Sequence, residues 1–308
     1  MVRRVAVGVL LTLLACTRGP AAAAPRPLVI FHAAALGPPF TAIGDLLKRE
    51  IPGLKLQPES SPSLVAVRKL TDLDRVPDVL ATADVALFEE YVIPAKADSF
   101  IVFGTNALVL AYGPQSADTA DLENDGWRQV LLRPGIRTGR SDPTVDPSGY
   151  RALMALQLAE AHYREPGLAA RLLARMPAQY VRHAEADLSA LVQAGELDFI
   201  WTYRNLARAH GLSYVDLPGA VNLGDPAQAA WYAQAKVTLP GRTPADSLRL
   251  TGAPIVFAVT IPREAPHRET ATAFVQLLLS ARGRAVLAAT GFDALPVPVV
   301  VRGEAVAP

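Results

Sequence analysis

The sequence predicts an α/β protein of two lobes, on three observations. Short apolar runs of strand character alternate with runs whose apolar residues repeat at helical spacing. The chain has 308 residues and is 51% apolar, enough to bury a large core and to divide it. Two apolar strands, 100–112 and 255–261, stand where they can carry the chain between lobes. Two crossings give a discontinuous first lobe, 27–107 with 258–308, around a continuous second lobe, 108–257.

Taken in order, residues 1–15 read as a signal peptide of the lipoprotein type: Arg3 and Arg4 precede an apolar run, and Leu13-Leu14-Ala15 leads into Cys16. The run is roughly half of the ~20 residues that a membrane-spanning helix needs. Cys16 would take the lipid; the other reading is an ordinary secretory cut within 21–24. Residues 16–26, rich in Ala and Pro, read as a tether. Leu28 to His32 is a strand, 33–39 a loop, and 40–50 a helix on Phe40, Ile43, Leu46 and Leu47. A strand at 54–56, a helix at 63–73 and a strand at 78–83 follow, and then a long apolar run broken by Gly104-Thr105-Asn106. The second lobe reads as a short helix at 127–132, a strand at 137–139, a long helix at 149–163, a helix at 188–194 and a strand at 197–201. The strand 255–261 and helices at 267–281 and 283–289 close the chain.

Composition removes several classes of function. Cys16 is the only cysteine, so the mature body has no disulfide, no cysteine metal site and no catalytic thiol. A net charge of +1 without a basic run argues against nucleic acid. His32, His162, His183, His210 and His267 lack metal-ligand spacing, so no bound free cation is expected. Neither a phosphate-binding G-x-x-x-x-G-K-[ST] loop nor a G-x-S-x-G elbow occurs, and no enzyme is expected.

Four loops remain as ligand seats at strand C-termini and helix N-termini: 33–39, 60–63, 141–149 and 201–205. Unpaired amides at a helix start favour an anion, and several converging starts favour an anion with many oxygens. Ser63 and Asp146 have a second reading as plain helix caps, and Asp146-Pro147 is a strong helix-start signal in any protein.

These segments resemble one family in order and over nearly the whole mature chain. Phe31-His32-Ala33-Ala34-Ala35-Leu36-Gly37-Pro38-Pro39-Phe40, the stretch 59–72 with Ser63, Ser141-Asp142-Pro143, Asp146-Pro147-Ser148-Gly149-Tyr150-Arg151, and Gly195-Glu196-Leu197-Asp198-Phe199 followed by Tyr203-Arg204 are similar to the tungstate/molybdate-binding proteins of ABC importers, above all their archaeal-type tungstate branch. The resemblance implies a type II periplasmic-binding-protein fold that closes on a tungstate or molybdate oxyanion, with no other cofactor. It implies ligand contacts from Ala34 and Ala35, Ser61 and Ser63, Asp146 and Ser148, and Thr202 and Tyr203. It further implies docking to an ABC permease; with the lipid read on Cys16, a monomer held outside the cytoplasmic membrane is expected.

Two positions depart from the family pattern. Ala35 stands for a serine and Thr202 for the second acidic ligand. With Asp146 as the one remaining acid, the expectation is a tetrahedral anion held mainly by hydrogen bonds, or altered selectivity. Another oxyanion such as sulfate, phosphate or vanadate, and a ligand-sensing lipoprotein, are the alternatives.

Overall fold

The structure, a computed structural model, describes residues 27–240 and 246–302. The leader, Cys16 and the tether 16–26 lie outside the described residues. β1 (Leu28–Ala33) passes through a 3-10 turn at Ala34–Leu36 into α1 (Gly37–Glu50). β2 (Leu56–Ser61), α2 (Ser63–Thr71), β3 (Val79–Thr82), β4 (Ser99–Thr105) and β5 (Leu108–Tyr112) follow. The middle of the chain forms α3 (Trp127–Leu132), β6 (Thr138–Ser141), α4 (Pro147–Tyr163), α5 (Leu168–Ala174), β7 (Val181–Arg182), α6 (Glu185–Gln193), β8 (Phe199–Tyr203), α7 (Arg204–Ala209) and β9 (Ser213–Asp216). Then come α8 (Gly219–Asn222), α9 (Ala229–Tyr232), β10 (Lys236–Pro240), β11 (Ser247–Thr251), β12 (Val256–Thr260), α10 (Arg268–Leu279), α11 (Ala281–Ala289) and β13 (Asp293–Arg302).

Two main sheets result. The first has the order β13-β4-β12-β3-β1-β2, with β1 parallel to β2 and β3, and with β12 antiparallel to both β3 and β4. The second has the order β7-β6-β8-β5-β9. The chain therefore leaves the first sheet at Asn106–Ala107 and returns to it at β12. The returning segment is tied to the N-terminal one by Asp78, which is fully buried and accepts from the Val29 N–H at 2.8 Å and the His267 N–H at 2.6 Å. A buried carboxylate needs such donors, so this one joint holds the start of α10 against β1.

Aromatic packing fills both halves. Phe40 meets Phe274 edge-on at 5.2 Å between α1 and α10, and Trp127 meets Trp201 at 5.8 Å under the second sheet. Such rings carry large apolar areas and prefer these tilted arrangements.

The boundaries depart from the expected ones for physical reasons. α1 begins at Gly37 and not at Phe40, because Pro38 and Pro39 sit in a first turn whose amides need no internal partner. Ser60 and Ser61 end β2 by pairing with His32 and Ala33, so the expected loop 60–63 shrinks to Pro62. β8 continues through Thr202 and Tyr203, which pair with Val109 and Leu108, so the expected loop 201–205 is strand followed directly by helix. The β10–β11 hairpin and β13 were not expected. β13 contains Pro296 and Pro298, and its register against β4 shifts between Ala294 and Val299; an edge strand tolerates proline in that way.

Candidate functional site

The first contributor is the turn after β1. Ala34 is partly buried and Ala35 is 1% exposed at the start of the helical segment that becomes α1. Neither side chain carries a hydrogen-bonding group, so this turn offers backbone amides alone.

The second is Ser63, the first residue of α2, 1% exposed. Its hydroxyl does not cap the helix: the N-cap position belongs to Pro62, and no side-chain cap bond forms. Instead Ser63 Oγ accepts from the Ala83 N–H at 3.1 Å. A hydroxyl that accepts in this way keeps its own proton free to donate. Ser61, by contrast, is partly exposed at the end of β2, where its Oγ accepts from Lys69 Nζ at 3.4 Å.

The third is Asp146. It caps α4 through a bond from the Ser148 N–H to Oδ1 at 2.8 Å, so the capping reading holds. It is 4% exposed, far more buried than a cap requires. Burial pushes its carboxyl up to about 6, against the pull of the Ser148 N–H.

The fourth residue is one that the sequence reading missed. Glu185 opens α6, is 3% exposed, and accepts from Thr202 Oγ1 at 3.1 Å. Burial, and then the charge of Asp146, push its carboxyl well above the usual range. The two carboxyls thus oppose each other's ionisation within one buried polar cluster. The Ser148 hydroxyl lies beside both without hydrogen-bonding geometry to either, and it and the Ser141 hydroxyl are buried with no partner among the described residues.

Glu185 is a second buried acid beside Asp146, where the sequence reading named one. Thr202 is neutral, as the sequence reading has it, but its hydroxyl is spent on holding a second carboxyl. Tyr203 is likewise occupied: its hydroxyl accepts from Arg151 Nη1 at 2.7 Å.

Arg151 joins the two halves. It is 3% exposed, donates to the Ala83 carbonyl at 2.5 Å and pairs with Asp84 at 3.1 Å, while the Tyr150 hydroxyl donates to Asp84 at 2.5 Å. The same residue, Ala83, therefore gives its N–H to Ser63 and its carbonyl to α4. Near the crossing at Asn106, Asn205 Nδ2 donates to the Ala35 carbonyl at 2.8 Å. Hydrogen bonds thus bring Ala35 and Ser63, on the first sheet's side, to one interface with the Asp146, Ser148, Thr202 and Tyr203 group on the second's; Ser61 stands apart.

Among known proteins, the sequence profile described as bacterial extracellular solute-binding protein matches residues 28–293. An uncharacterised solute-binding protein of Petrotoga mobilis is 37% identical over 90% of this chain and 86% of its own length. The molybdate/tungstate-binding protein WtpA of Thermococcus kodakarensis is 34% identical over 88% of this chain and 83% of its own. In fold, the periplasmic molybdate-binding protein of Azotobacter vinelandii superposes with a TM-score of 0.58 over 88% of this chain and all of its own, at 17% identity. The sulfate-binding protein SubI of Mycobacterium tuberculosis superposes with a TM-score of 0.61 over 88% of this chain and 87% of its own, at 15% identity. These solved structures have the type II binding-protein architecture seen here in two sheets joined by two crossings.

Proposed function

Since the chain belongs to the bacterial extracellular solute-binding protein family, we propose that it captures tungstate or molybdate outside the cytoplasmic membrane and delivers it to the permease of an ABC importer. One observation supports this choice of ligand: two buried carboxyls, Asp146 and Glu185, lie close enough to oppose each other's ionisation, beside the buried Ser148 hydroxyl.

Two carboxylates repel a dianion at close range unless something offsets them. Sulfur in sulfate has no vacant position to accept their oxygens. A tungsten or molybdenum centre can widen its coordination, so the carboxylate oxygens bind the metal while hydroxyls and amides donate to its oxo groups. The binding-protein reading also makes the two sheets the cores of two lobes that hinge at 106–107 and at the start of β12. Cys16 would anchor the mature monomer by lipid, a role tested by labelling with a fatty acid before and after Cys16→Ser.

A second reading rests on the raised carboxyls. Protonated, they become donors, and the pocket would suit a tetrahedral anion such as sulfate, phosphate or vanadate. A thermal-shift panel separates the two, because a ligand of the native form alone raises the melting temperature. Stabilisation by tungstate and molybdate, with little from sulfate or phosphate, is expected. Stabilisation by sulfate or phosphate alone would overturn the metal-oxyanion reading.

A further inference from the structure

The turn that starts α1 has a gap in its hydrogen bonding that a distant residue fills. At a helix start the carbonyl of residue i accepts from the N–H of residue i+3 or i+4. For Ala35 those residues are Pro38 and Pro39, which have no N–H. Ala34 escapes the problem, because its carbonyl accepts from the Gly37 N–H. Ala35 is 1% exposed, so a missing donor there would be costly. The donor is Asn205 Nδ2 at 2.8 Å, from the first turn of α7 on the other sheet, and Asn205 is itself fully buried.

The orientation of that side chain is dictated by a chain of bonds. The Ala107 N–H donates to Asn106 Oδ1 at 2.9 Å, so Asn106 turns its Nδ2 outward and donates to Asn205 Oδ1 at 2.5 Å. Asn205 then has its Nδ2 left for Ala35. The Asn106 N–H donates to the Ile255 carbonyl at 3.2 Å, so the asparagine pair stands where both crossings meet. Gly291 closes over it; a Cβ there would lie 3.1 Å from Asn205 Cα.

We propose that Asn205 is a positioning residue for oxyanion capture, acting through Ala35 and not on the ligand. A carbonyl and the N–H of the next residue point in opposite directions across one planar peptide. Pinning the Ala35 carbonyl therefore fixes the 35–36 peptide, whose N–H closes the 3-10 turn, and with it the turn that presents the Ala34 and Ala35 amides. This matters more here than where a hydroxyl is present, because Ala35 leaves the turn only its amides. The donor also comes from the other half of the molecule, so the turn is set only when the halves meet. The inference rests on the oxyanion reading above.

The test is calorimetric titration with tungstate of the wild type, Asn205→Ala, and Asn205→Ala combined with Pro39→Ala, with melting of each unliganded chain as a control. Asn205→Ala should weaken binding at least tenfold. In the double variant residue 39 regains an N–H placed to donate to Ala35, and most of the affinity should return. Asn205→Asp, which keeps the size but loses the donor, should repeat the loss should the alanine variant fold poorly. Unchanged affinity in the folded Asn205 variants, or a loss that Pro39→Ala does not recover, overturns the inference alone. A wild-type chain that binds neither tungstate nor molybdate overturns the oxyanion reading and this inference with it.

Discussion

Thr202 Oγ1 donates to Glu185 Oε1 at 3.1 Å, and both residues are almost fully buried. The bond turns a threonine that faces the site into the support of a carboxyl that reaches it from the start of another helix. The acidity of the site is therefore shared between Asp146 and Glu185, on two helix starts of the same sheet.

Glu185→Gln keeps the shape and removes the charge. If Glu185 binds the metal centre, tungstate affinity should fall about a hundredfold, close to ~2.7 kcal/mol, while sulfate affinity stays level or rises. Thr202→Val should cost less, about tenfold, because it loosens Glu185 without removing it. Competition calorimetry reads both, and equal losses for tungstate and sulfate would contradict the coordination argument.

The positions of these residues in the fold were partly legible beforehand, and what was missed has an identifiable cause. Ser63, Asp146 and Ala35 each stand at the start of a helical segment, as turn chemistry in the sequence marks. Glu185 was hidden because an acid in a first helical turn is ordinary dipole chemistry anywhere, and because α6 begins three residues before the apolar repeat at Leu188 makes it visible. The one available hint was the position itself: β7 feeds α6 much as β6 feeds α4. Ser63 erred in the opposite direction, since its capping role looked strong from composition and the helix does without it. The Asn205 contact could not be read at all. It joins residues 170 apart, and no local pattern encodes that.

Ser63→Ala should weaken tungstate binding by roughly tenfold, the loss of one donor, about 1–1.5 kcal/mol. It should also lower unliganded stability by about 1–3 kcal/mol, because the Ala83 N–H loses its acceptor. Calorimetry and urea unfolding read the two effects separately. Lost stability with intact affinity would mean that the Ser63 proton does not reach the anion.

The Asp146 carboxyl, pushed up to about 6 mainly by burial, ionises less readily in the folded chain than in the unfolded one. Such a group leaves stability untouched below its unfolded value near ~4 and draws it away as pH rises through about 6. Unliganded Asp146→Asn should therefore melt higher than wild type at pH 7 to 8, by an advantage on the order of 3 kcal/mol, and the gap should close in acid. Melting curves across that range check it. A gap independent of pH would mean that Asp146 ionises normally.

Arg151→Met should destabilise the chain by about 3–5 kcal/mol, because it leaves Asp84 buried without its charge partner. Tyr150→Phe removes only a hydroxyl from the same carboxylate and should cost about 1–2 kcal/mol. Denaturant titration ranks the two, and equal effects would remove the ion pair from its place as the main link between the halves.

X-ray absorption at the tungsten edge of the loaded protein tests the central claim most directly. Coordination by Asp146 and Glu185 predicts a first shell of short oxo distances joined by longer carboxylate oxygens, and Glu185→Gln should lose part of the longer set. An undisturbed tetrahedral spectrum in both proteins would contradict it.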